Sequence, residues 1–302
     1  MSPATELMQR IVERHAALGL DSNTDPAALP ADDSAFAIAY AAARRLGFIP
    51  ADAEVVAGAW QRQSDRSGAF DPDAWPVEPT DFGVPPGPRA DAFAPCPQAL
   101  GLYAVLPSAE WVARMARAGV PTLQLRFKSR DATAVRAEIR AAVDAVRGTA
   151  SLLFINDHWR EAIAAGAYGV HLGQEDLDTL SAADLAEIRA AGLRLGLSTH
   201  GYAEMLRADT VGPSYLALGA VFPTTLKAMA TPPQGSGRLQ AYARLMRRRS
   251  LVAIGGIAAA QLPEIASSGV GSFAVVRAIT GAADPEAAAA ALQQAWAEVR
   301  GR

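Results

Sequence analysis

Cysteine is nearly absent from this chain: its 302 residues include one, Cys96. A single cysteine excludes an internal disulfide framework and fits a reducing compartment, so we expect a cytoplasmic protein. Cys96 lies between two prolines in a proline-rich segment. Nothing in that setting indicates a catalytic thiol.

Long apolar runs and an excess of positive charge are also missing. No segment has the ~20 apolar residues that a membrane span needs, and charged residues interrupt the first 20 positions where a signal peptide would carry its apolar core. The formal net charge is −3, which argues against a general nucleic-acid surface. The one basic run, residues 247–249, predicts a solvated helix end. We therefore expect small-molecule substrates and neither a nucleic acid nor a membrane as partner, and a homo-oligomer stays open.

Proline is plentiful between residues 71 and 98. Proline at this density removes backbone donors and blocks helix formation, which predicts a linker or a strap on the surface. Residues 1–70, which precede it, predict a helical extension of unknown role, and residues 99–302 predict the catalytic domain. In the extension, the pair Asp33-Ser34 is the predicted cap of a helix over 35–46. Asp52 is the predicted cap of a second helix over 53–62.

From residue 100 onward, short apolar runs alternate with stretches of helical periodicity. The runs fall at 101–106, 122–125, 152–155, 169–172, 193–197, 215–218, 251–254 and 273–276. Continuous apolar runs are typical of parallel strands buried on both faces. Eight such units in about 200 residues predict a (β/α)₈ TIM barrel, with a doubly wound open sheet as the alternative.

Polar residues follow these runs where a barrel would place its active site. Gln124, Arg126 and Lys128 alternate along the second strand and so point the same way, as an oxyanion clamp or as a solvated strand end. Asp157 and Asp176 follow the third and fourth strands. Two carboxylates that converge there suit Mg²⁺, although Asp157 alone also suits a helix cap.

Further polar groups follow the later strands. Ser198 ends the fifth strand and is able to donate to a phosphate. Thr224, Thr225 and Lys227 belong to the loop after the sixth strand, and Gly256 belongs to a glycine pair whose N–H groups are open to an anion. Together with Arg277 after the eighth strand, these residues predict a second anion site, distinct from the first. From two anion sites and one metal site we predict an enzyme that joins a substrate carrying a diphosphate to a second substrate carrying a phosphate.

These residues occur in motifs that resemble those of the thiamine-phosphate synthase family. The motifs are Gln124-Leu-Arg-Phe-Lys128, Phe154-Ile-Asn-Asp157, Gly169-Val-His-Leu-Gly-Gln-Glu-Asp176, Leu197-Ser-Thr-His200, Val221-Phe-Pro-Thr224 with Lys227, and Ala253-Ile-Gly-Gly-Ile257. Any one is weak evidence, but six in order over residues 99–302 are highly specific. The resemblance implies a transferase that releases pyrophosphate from a hydroxymethylpyrimidine diphosphate and forms thiamine phosphate with a thiazole phosphate.

The resemblance also implies roles for individual residues. Those expected to hold the pyrimidine diphosphate are Gln124, Arg126, Lys128, Asn156, Ser198 and Lys227, with Lys128, Ser198 and Lys227 as the catalytic set. Those expected to hold the thiazole phosphate are Thr224, Thr225, Gly256, Val276 and Arg277. Asp157 and Asp176 are expected to hold the Mg²⁺ cofactor.

The chain departs from the family pattern twice, both times in the thiazole-phosphate set. Leu226 stands where the family usually has a threonine, and Arg277 where it usually has a serine. Two alternatives therefore stay open: a thiazole tautomerase-like isomerase, and a non-catalytic protein that binds thiamine or thiazole phosphate. The intact diphosphate and metal motifs favour the transferase.

Overall fold

The computed structural model describes residues 2–21, 24–224 and 231–301. Within these ranges, eight parallel strands pair in sequential order and close into a barrel through β8 and β1. The strands are β1 (Gly101–Leu106), β2 (Thr122–Leu125), β3 (Leu152–Asn156), β4 (Gly169–Leu172), β5 (Arg194–Thr199), β6 (Tyr215–Leu218), β7 (Leu251–Ile254) and β8 (Ser272–Val275). The predicted TIM barrel is confirmed, and the open sheet is excluded.

The helices form the amino-terminal extension and the outer layer of the barrel. Those of the extension are α1 (Pro3–Arg14), α2 (Ala35–Arg45) and α3 (Pro50–Ser67). Those of the barrel are α4 (Ala109–Arg117), α5 (Ala132–Val146), α6 (Trp159–Ala165), α7 (Gln174–Thr179), α8 (Ala182–Ala190), α9 (Tyr202–Val211), α10 (Gly235–Leu245), α11 (Leu262–Ser267), α12 (Arg277–Thr280) and α13 (Pro285–Arg300). None of the described helices is long and apolar enough to cross a bilayer.

Alternation along the strands sorts their side chains into two layers. Leu123 and Leu153 belong to the outward set, which packs beneath the helices. Tyr103, Phe154 and Tyr215 belong to the inward set, which fills the barrel. The inward positions nearest the carboxyl ends of the strands therefore line the mouth of the barrel.

The prediction that Asp52 caps its own helix was wrong. The helix begins at Pro50, whose fixed φ suits the first helical position, and Ile49 precedes it without a side-chain cap. Asp52 lies in the first turn and is 4% exposed. Its carboxylate instead accepts a hydrogen bond from the backbone N–H of Ala203 at 2.8 Å. A residue of the extension thus caps α9, a helix of the barrel.

In the basic run at 247–249, Arg247 and Arg248 are exposed, as expected of a solvated helix end, but the side chains of the run also have partners within the protein. The run follows the end of α10, and its side chains bind other parts of the chain. Arg247 pairs with Glu78 at 2.9 Å, and Arg249 donates to the buried carboxylate of Asp209 at 2.8 Å. Arg248 donates to the carbonyl of Pro86. The contacts of Arg247 and Arg248 fasten residues 71–98 to the outside of the barrel.

Candidate active site

The mouth of the barrel collects polar side chains from four neighbouring strands. Gln124, Asn156, His171 and Ser198 occupy inward positions near the ends of β2, β3, β4 and β5. The amide of Gln124 donates to the Asn156 side-chain oxygen at 3.0 Å. That bond leaves the Gln124 oxygen and the Asn156 amide directed at whatever occupies the mouth.

A chain of hydrogen bonds crosses the barrel beneath these groups. The hydroxyls of Tyr103 and Tyr215 lie 2.7 Å apart, and the Tyr215 hydroxyl lies 2.7 Å from His171 Nδ1. His171 Nε2 lies 2.8 Å from the Ser198 hydroxyl. Burial and the nearby charge of Arg126 lower the pKa of His171 from 6.5 to about 4. The imidazole is therefore neutral at pH 7, and it holds Ser198 in a fixed orientation.

Sequence reasoning did not assign Tyr103, Tyr215 or His171 to the site. The two tyrosines lie inside apolar runs, where an aromatic ring first suggests packing. The available signal was that a tyrosine hydroxyl buried in a strand needs a polar partner.

Of the polar residues at the end of β5, one faces the mouth of the barrel and two bind other parts of the protein. Ser198 faces the mouth, but the Thr199 hydroxyl donates to the backbone carbonyl of Ala217 at 3.0 Å. His200 Nδ1 lies 2.7 Å from a carboxylate oxygen of Glu204, one turn further along. Of these three residues, Ser198 is the one whose side chain bonds to a group inside the barrel, His171.

Asp157 lies at the centre of the charged part of the mouth. The residue is exposed as a whole, but neighbouring protein desolvates its carboxylate. This desolvation and the negative charge of Asp176 raise the pKa of Asp157. The positive charges of Arg126, His158 and Lys128 act in the opposite direction. The four charged residues predicted from the sequence are therefore close enough to act on one another.

The carboxylate of Asp157 is not used as a helix cap. His158 precedes α6 and provides no side-chain cap either. Asp157 adopts a left-handed backbone conformation with φ of 65°, which aspartate tolerates better than most residues. In the described part of the chain, its side chain has no hydrogen-bond partner, which favours a ligand over the capping alternative.

Asp176 lies in the first turn of α7 and not at the strand end where we predicted it. One of its carboxylate oxygens accepts the backbone N–H of Gly173 at 2.6 Å. The other oxygen is left for a ligand. Among the described residues no group of three or more His, Cys, Asp or Glu side chains is placed to hold a metal ion. Two carboxylates with open oxygens nevertheless suit Mg²⁺, which keeps waters and takes further oxygens from substrate phosphates.

The cationic pair Arg126 and Lys128 follows β2 on the same side of the mouth. Arg126 is partly buried and Lys128 is exposed. Over residues 2–21, 24–224 and 231–301, neither side chain forms a hydrogen bond or an ion pair. Both charges are available to an anionic ligand, so the clamp favoured by the sequence has the position and the freedom that it needs.

The predicted thiazole-phosphate residues lie on the other side of the mouth, around the ends of β6, β7 and β8. Phe222 N–H donates to the Gly255 carbonyl at 3.0 Å, and a Cβ at Gly256 would overlap the Pro223 carbonyl oxygen. The segment that carries Thr224 is therefore packed directly on the glycine pair. Thr225, Leu226 and Lys227 lie outside the described residues.

Val276 is placed differently from the prediction, while Arg277 follows β8 as predicted. The strand β8 ends at Val275, so Val276 is the residue that caps α12, and Arg277 is the first residue of that helix. Both remain at the mouth, next to the end of β1 and β7. The backbone around them belongs to the start of a helix and not to a strand.

Comparison with known proteins gives one consistent result. A family model described as thiamine monophosphate synthase matches residues 102–279. A thiamine-phosphate synthase of Neisseria meningitidis is 54% identical over 204 residues, which are 68% of this chain and 98% of that protein. A thiamine-phosphate synthase of Escherichia coli is 52% identical over 66% of this chain and 93% of that protein. Among solved structures, the thiamine phosphate pyrophosphorylase of Pyrococcus furiosus is 29% identical with a TM-score of 0.58, over 66% of this chain and 96% of that chain.

Proposed function

The chain belongs to the thiamine monophosphate synthase family, and from that premise we propose how its own residues carry out the synthesis of thiamine phosphate. The substrates are a hydroxymethylpyrimidine diphosphate and a thiazole phosphate. The products are thiamine phosphate and pyrophosphate. The two alternatives, an isomerase and a non-catalytic binding protein, are not favoured by any of the comparisons.

The reaction exchanges one bond at the methylene carbon of the pyrimidine. The carbon–oxygen bond breaks, and its electron pair leaves with the diphosphate. The lone pair of the thiazole nitrogen forms the new carbon–nitrogen bond. Because the aminopyrimidine ring spreads the positive charge that develops on the methylene, no protein nucleophile is needed. The protein has to stabilise the leaving group and position the acceptor.

The pyrimidine side of the mouth supplies the leaving-group interactions. Arg126 and Lys128 place two positive charges where the diphosphate leaves, and the guanidinium of Arg126 is able to bind it with two parallel hydrogen bonds. Ser198, oriented by neutral His171, donates a further hydrogen bond. Gln124 and Asn156, already paired with each other, orient the ring.

The pair Asp157 and Asp176 would hold Mg²⁺. The pKa of Asp157 is raised partly by the charge of Asp176, and such mutual repulsion is what a divalent cation relieves. When bound, the ion neutralises charge on the diphosphate. This pair of open carboxylates beside two unpaired cations is the single observation that carries the proposed arrangement.

An assay with both substrates and Mg²⁺ tests the proposal. We expect pyrophosphate release and thiamine phosphate formation, and we expect Asp157→Asn and Asp176→Asn each to lower turnover by about 100-fold or more. Glu175→Gln is the matched control, because Glu175 is an exposed carboxylate in the same turn as Asp176. Turnover unchanged in both aspartate variants, or lost equally in the control, would overturn the metal assignment.

Two further expectations from the sequence accompany this proposal. We place the enzyme in the cytoplasm because its single cysteine suits a reducing compartment. A homo-oligomer stays a prediction, which the molar mass in solution would decide.

A further inference from the structure

The amino-terminal extension contacts the two barrel helices that follow the site-bearing strands β5 and β6. On α9, Tyr202 is fully buried, and its ring centroid lies 5.9 Å from that of Phe48 in the extension. Trp75 Nε1, which donates to its hydroxyl at 2.9 Å, and the Phe82 ring, which stacks on it at 5.4 Å, belong to the segment 71–98. On α10, a Cβ at Gly237 would overlap the carbonyl oxygen of Ala17. The extension therefore packs against α9 and α10 as closely as neighbouring elements pack within a protein core.

Arg238 of α10 is the buried charge at this contact. It is 2% exposed, and its guanidinium donates to the carbonyls of Leu18 at 2.9 Å and Leu46 at 3.0 Å, both in the extension. The same group lies 3.7 Å from the centre of the Phe48 ring. Its third contact is with its own helix, where it donates to the Gln234 side-chain oxygen at 3.2 Å. Each of the three guanidinium nitrogens of Arg238 therefore has a hydrogen-bond acceptor.

Gln234 connects this contact to the mouth of the barrel. Its backbone N–H donates to the Ala220 carbonyl at 2.8 Å, and the next N–H, from Gly235, donates to the Val221 carbonyl at 2.9 Å. Ala220 and Val221 leave β6 and lead directly to Thr224. The start of α10 therefore fixes the segment that carries a predicted thiazole-phosphate residue.

The relatives carry out the family reaction without this extension. The match to the Neisseria meningitidis enzyme spans 204 residues and covers 98% of that protein, which leaves no room in it for a segment of this size. The support that Arg238 receives from Leu18 and Leu46 is consequently a property of this chain and not a requirement of the family.

We propose that Arg238 is a positioning residue through which the extension sets the thiazole-phosphate side of the active site. The proposal rests on the proposed function, in that it takes Thr224 and Gly256 as part of the thiazole-phosphate site. Arg238 touches neither substrate. It acts through Gln234, which holds the backbone at Ala220.

Loss of Arg238 leaves the buried Leu18 carbonyl without its donor. It also removes one of the two donors of the Leu46 carbonyl and of the Gln234 side-chain oxygen, which keep the Leu20 N–H and the Tyr242 hydroxyl. Buried acceptors without a partner are costly, so the start of α10 shifts toward other partners. Small displacements of positioning groups change binding and rate strongly. Of the residues expected to hold the pyrimidine diphosphate, those that the structure describes lie at the ends of β2, β3 and β5, and their hydrogen bonds do not involve α10. Lys227, the remaining one, lies outside the described residues.

The test compares KM for each substrate, and kcat, in the full-length enzyme. We expect Arg238→Met to raise KM for the thiazole phosphate roughly tenfold, with KM for the pyrimidine diphosphate within about twofold of wild type. Arg238→Lys, which keeps the charge and some donors, restores part of the affinity. Gln234→Leu reproduces the effect, and the double variant is no worse than the more affected single variant, because both act on one connection.

Asp209→Asn is the matched control. Asp209 is also 2% exposed and also bridges the barrel to the amino-terminal part, through Arg89 at 3.4 Å and beside Arg249, but it lies in the last turn of α9, away from the mouth. We expect it to lower the Tm without a selective change in either KM.

The possible outcomes distinguish a failure of the proposed function from a failure of the positioning role of Arg238. A wild-type enzyme that makes no thiamine phosphate contradicts the proposed function. An active wild type whose Arg238 and Gln234 variants change both KM values equally, change neither, or combine additively contradicts the positioning role. If Arg238→Met does not fold, Gln234→Leu and Arg238→Lys still decide the question by the same comparison.

Discussion

Asp157, a residue that we propose for the metal site, is unfavourable for the fold. Its backbone is left-handed, and desolvation and Asp176 raise the pKa of its carboxyl group. A raised carboxyl pKa means that the folded state holds the proton more firmly than the unfolded state. The stability that this group contributes is therefore present at acid pH and is lost as the pH rises through the raised pKa.

Asp157→Asn should consequently separate stability from activity. At pH 7 the variant removes an ionised group that the fold disfavours, so we expect a Tm equal to or above that of wild type, together with the large loss of turnover predicted above. Thermal denaturation without Mg²⁺ gives the comparison. A clear drop in the Tm would show that the carboxylate supports the fold and would contradict the functional assignment.

His171 leads to a prediction about pH. Its pKa is about 4 in the folded protein against an ordinary 6.5, so stability from neutral His171 is present above pH 6.5 and is lost as the pH falls toward 4. The shift corresponds to roughly 3 kcal/mol over that window. We expect the free energy of unfolding in urea to fall less steeply over this window in His171→Gln, which keeps hydrogen-bonding groups and does not titrate. Equal slopes in the two proteins would contradict this account.

At the scale of elements, the cap that Asp52 provides to α9 is the most testable contact. Burial raises the pKa of Asp52, while the N–H of Ala203 and the charge of Arg238 lower it. Asp52→Leu removes the acceptor, and we expect the free energy of unfolding to fall by about 1–2 kcal/mol. Asp52→Asn keeps an oxygen for the same bond and buries no charge, so we expect a smaller loss. The reverse order, measured in urea at pH 7, would show that the charge matters more than the cap.

The strands were predictable because burial on both faces leaves a plain apolar signature. The bounds predicted for β1, β2, β4, β6 and β7 agree with the structure residue for residue. The strand β5 extends to Thr199 and β8 ends at Val275, because ladder hydrogen bonds, which hydropathy does not report, decide where a strand ends.

The site was predictable where side chains leave a strand end and less so elsewhere. Gln124 follows from alternation, and Asn156 and Ser198 follow from their places at strand ends; the structure places all three at one mouth. The roles of Asp52 and Arg238 depend on partners about 150 and 200 residues away in the chain. No local pattern contains that information, since an acidic residue near a helix start is ordinarily the cap of that same helix.

At the scale of the whole molecule, residues 71–98 and the extension act as part of the barrel's outer layer. The segment 94–97 covers the amino-terminal ends of the strands: the Ser214 hydroxyl donates to the Ala94 carbonyl at 2.6 Å, and the Ser250 hydroxyl donates to the Pro97 carbonyl at 3.0 Å. Residues of the extension and of the barrel also form one continuous hydrophobic core. A segment outside the family's length has therefore become part of the fold that supports the site.

Removal of residues 1–98 tests this integration. The shortened chain has the length of the relatives, but it exposes the rings of Tyr202 and Tyr242, which are 0% and 3% exposed in the intact protein, and it leaves Arg238 without Leu18 and Leu46. Exposed aromatic surface of this kind favours association, so we expect aggregation in size-exclusion chromatography or a Tm lower by at least about 10 °C. A second chain that begins at residue 71 keeps the strap and should be intermediate. The Neisseria meningitidis thiamine-phosphate synthase is the natural control, because the matched 204 residues cover 98% of that protein and leave no room for such an extension. A monodisperse truncated barrel with the wild-type Tm would show that the extension only rests on the surface.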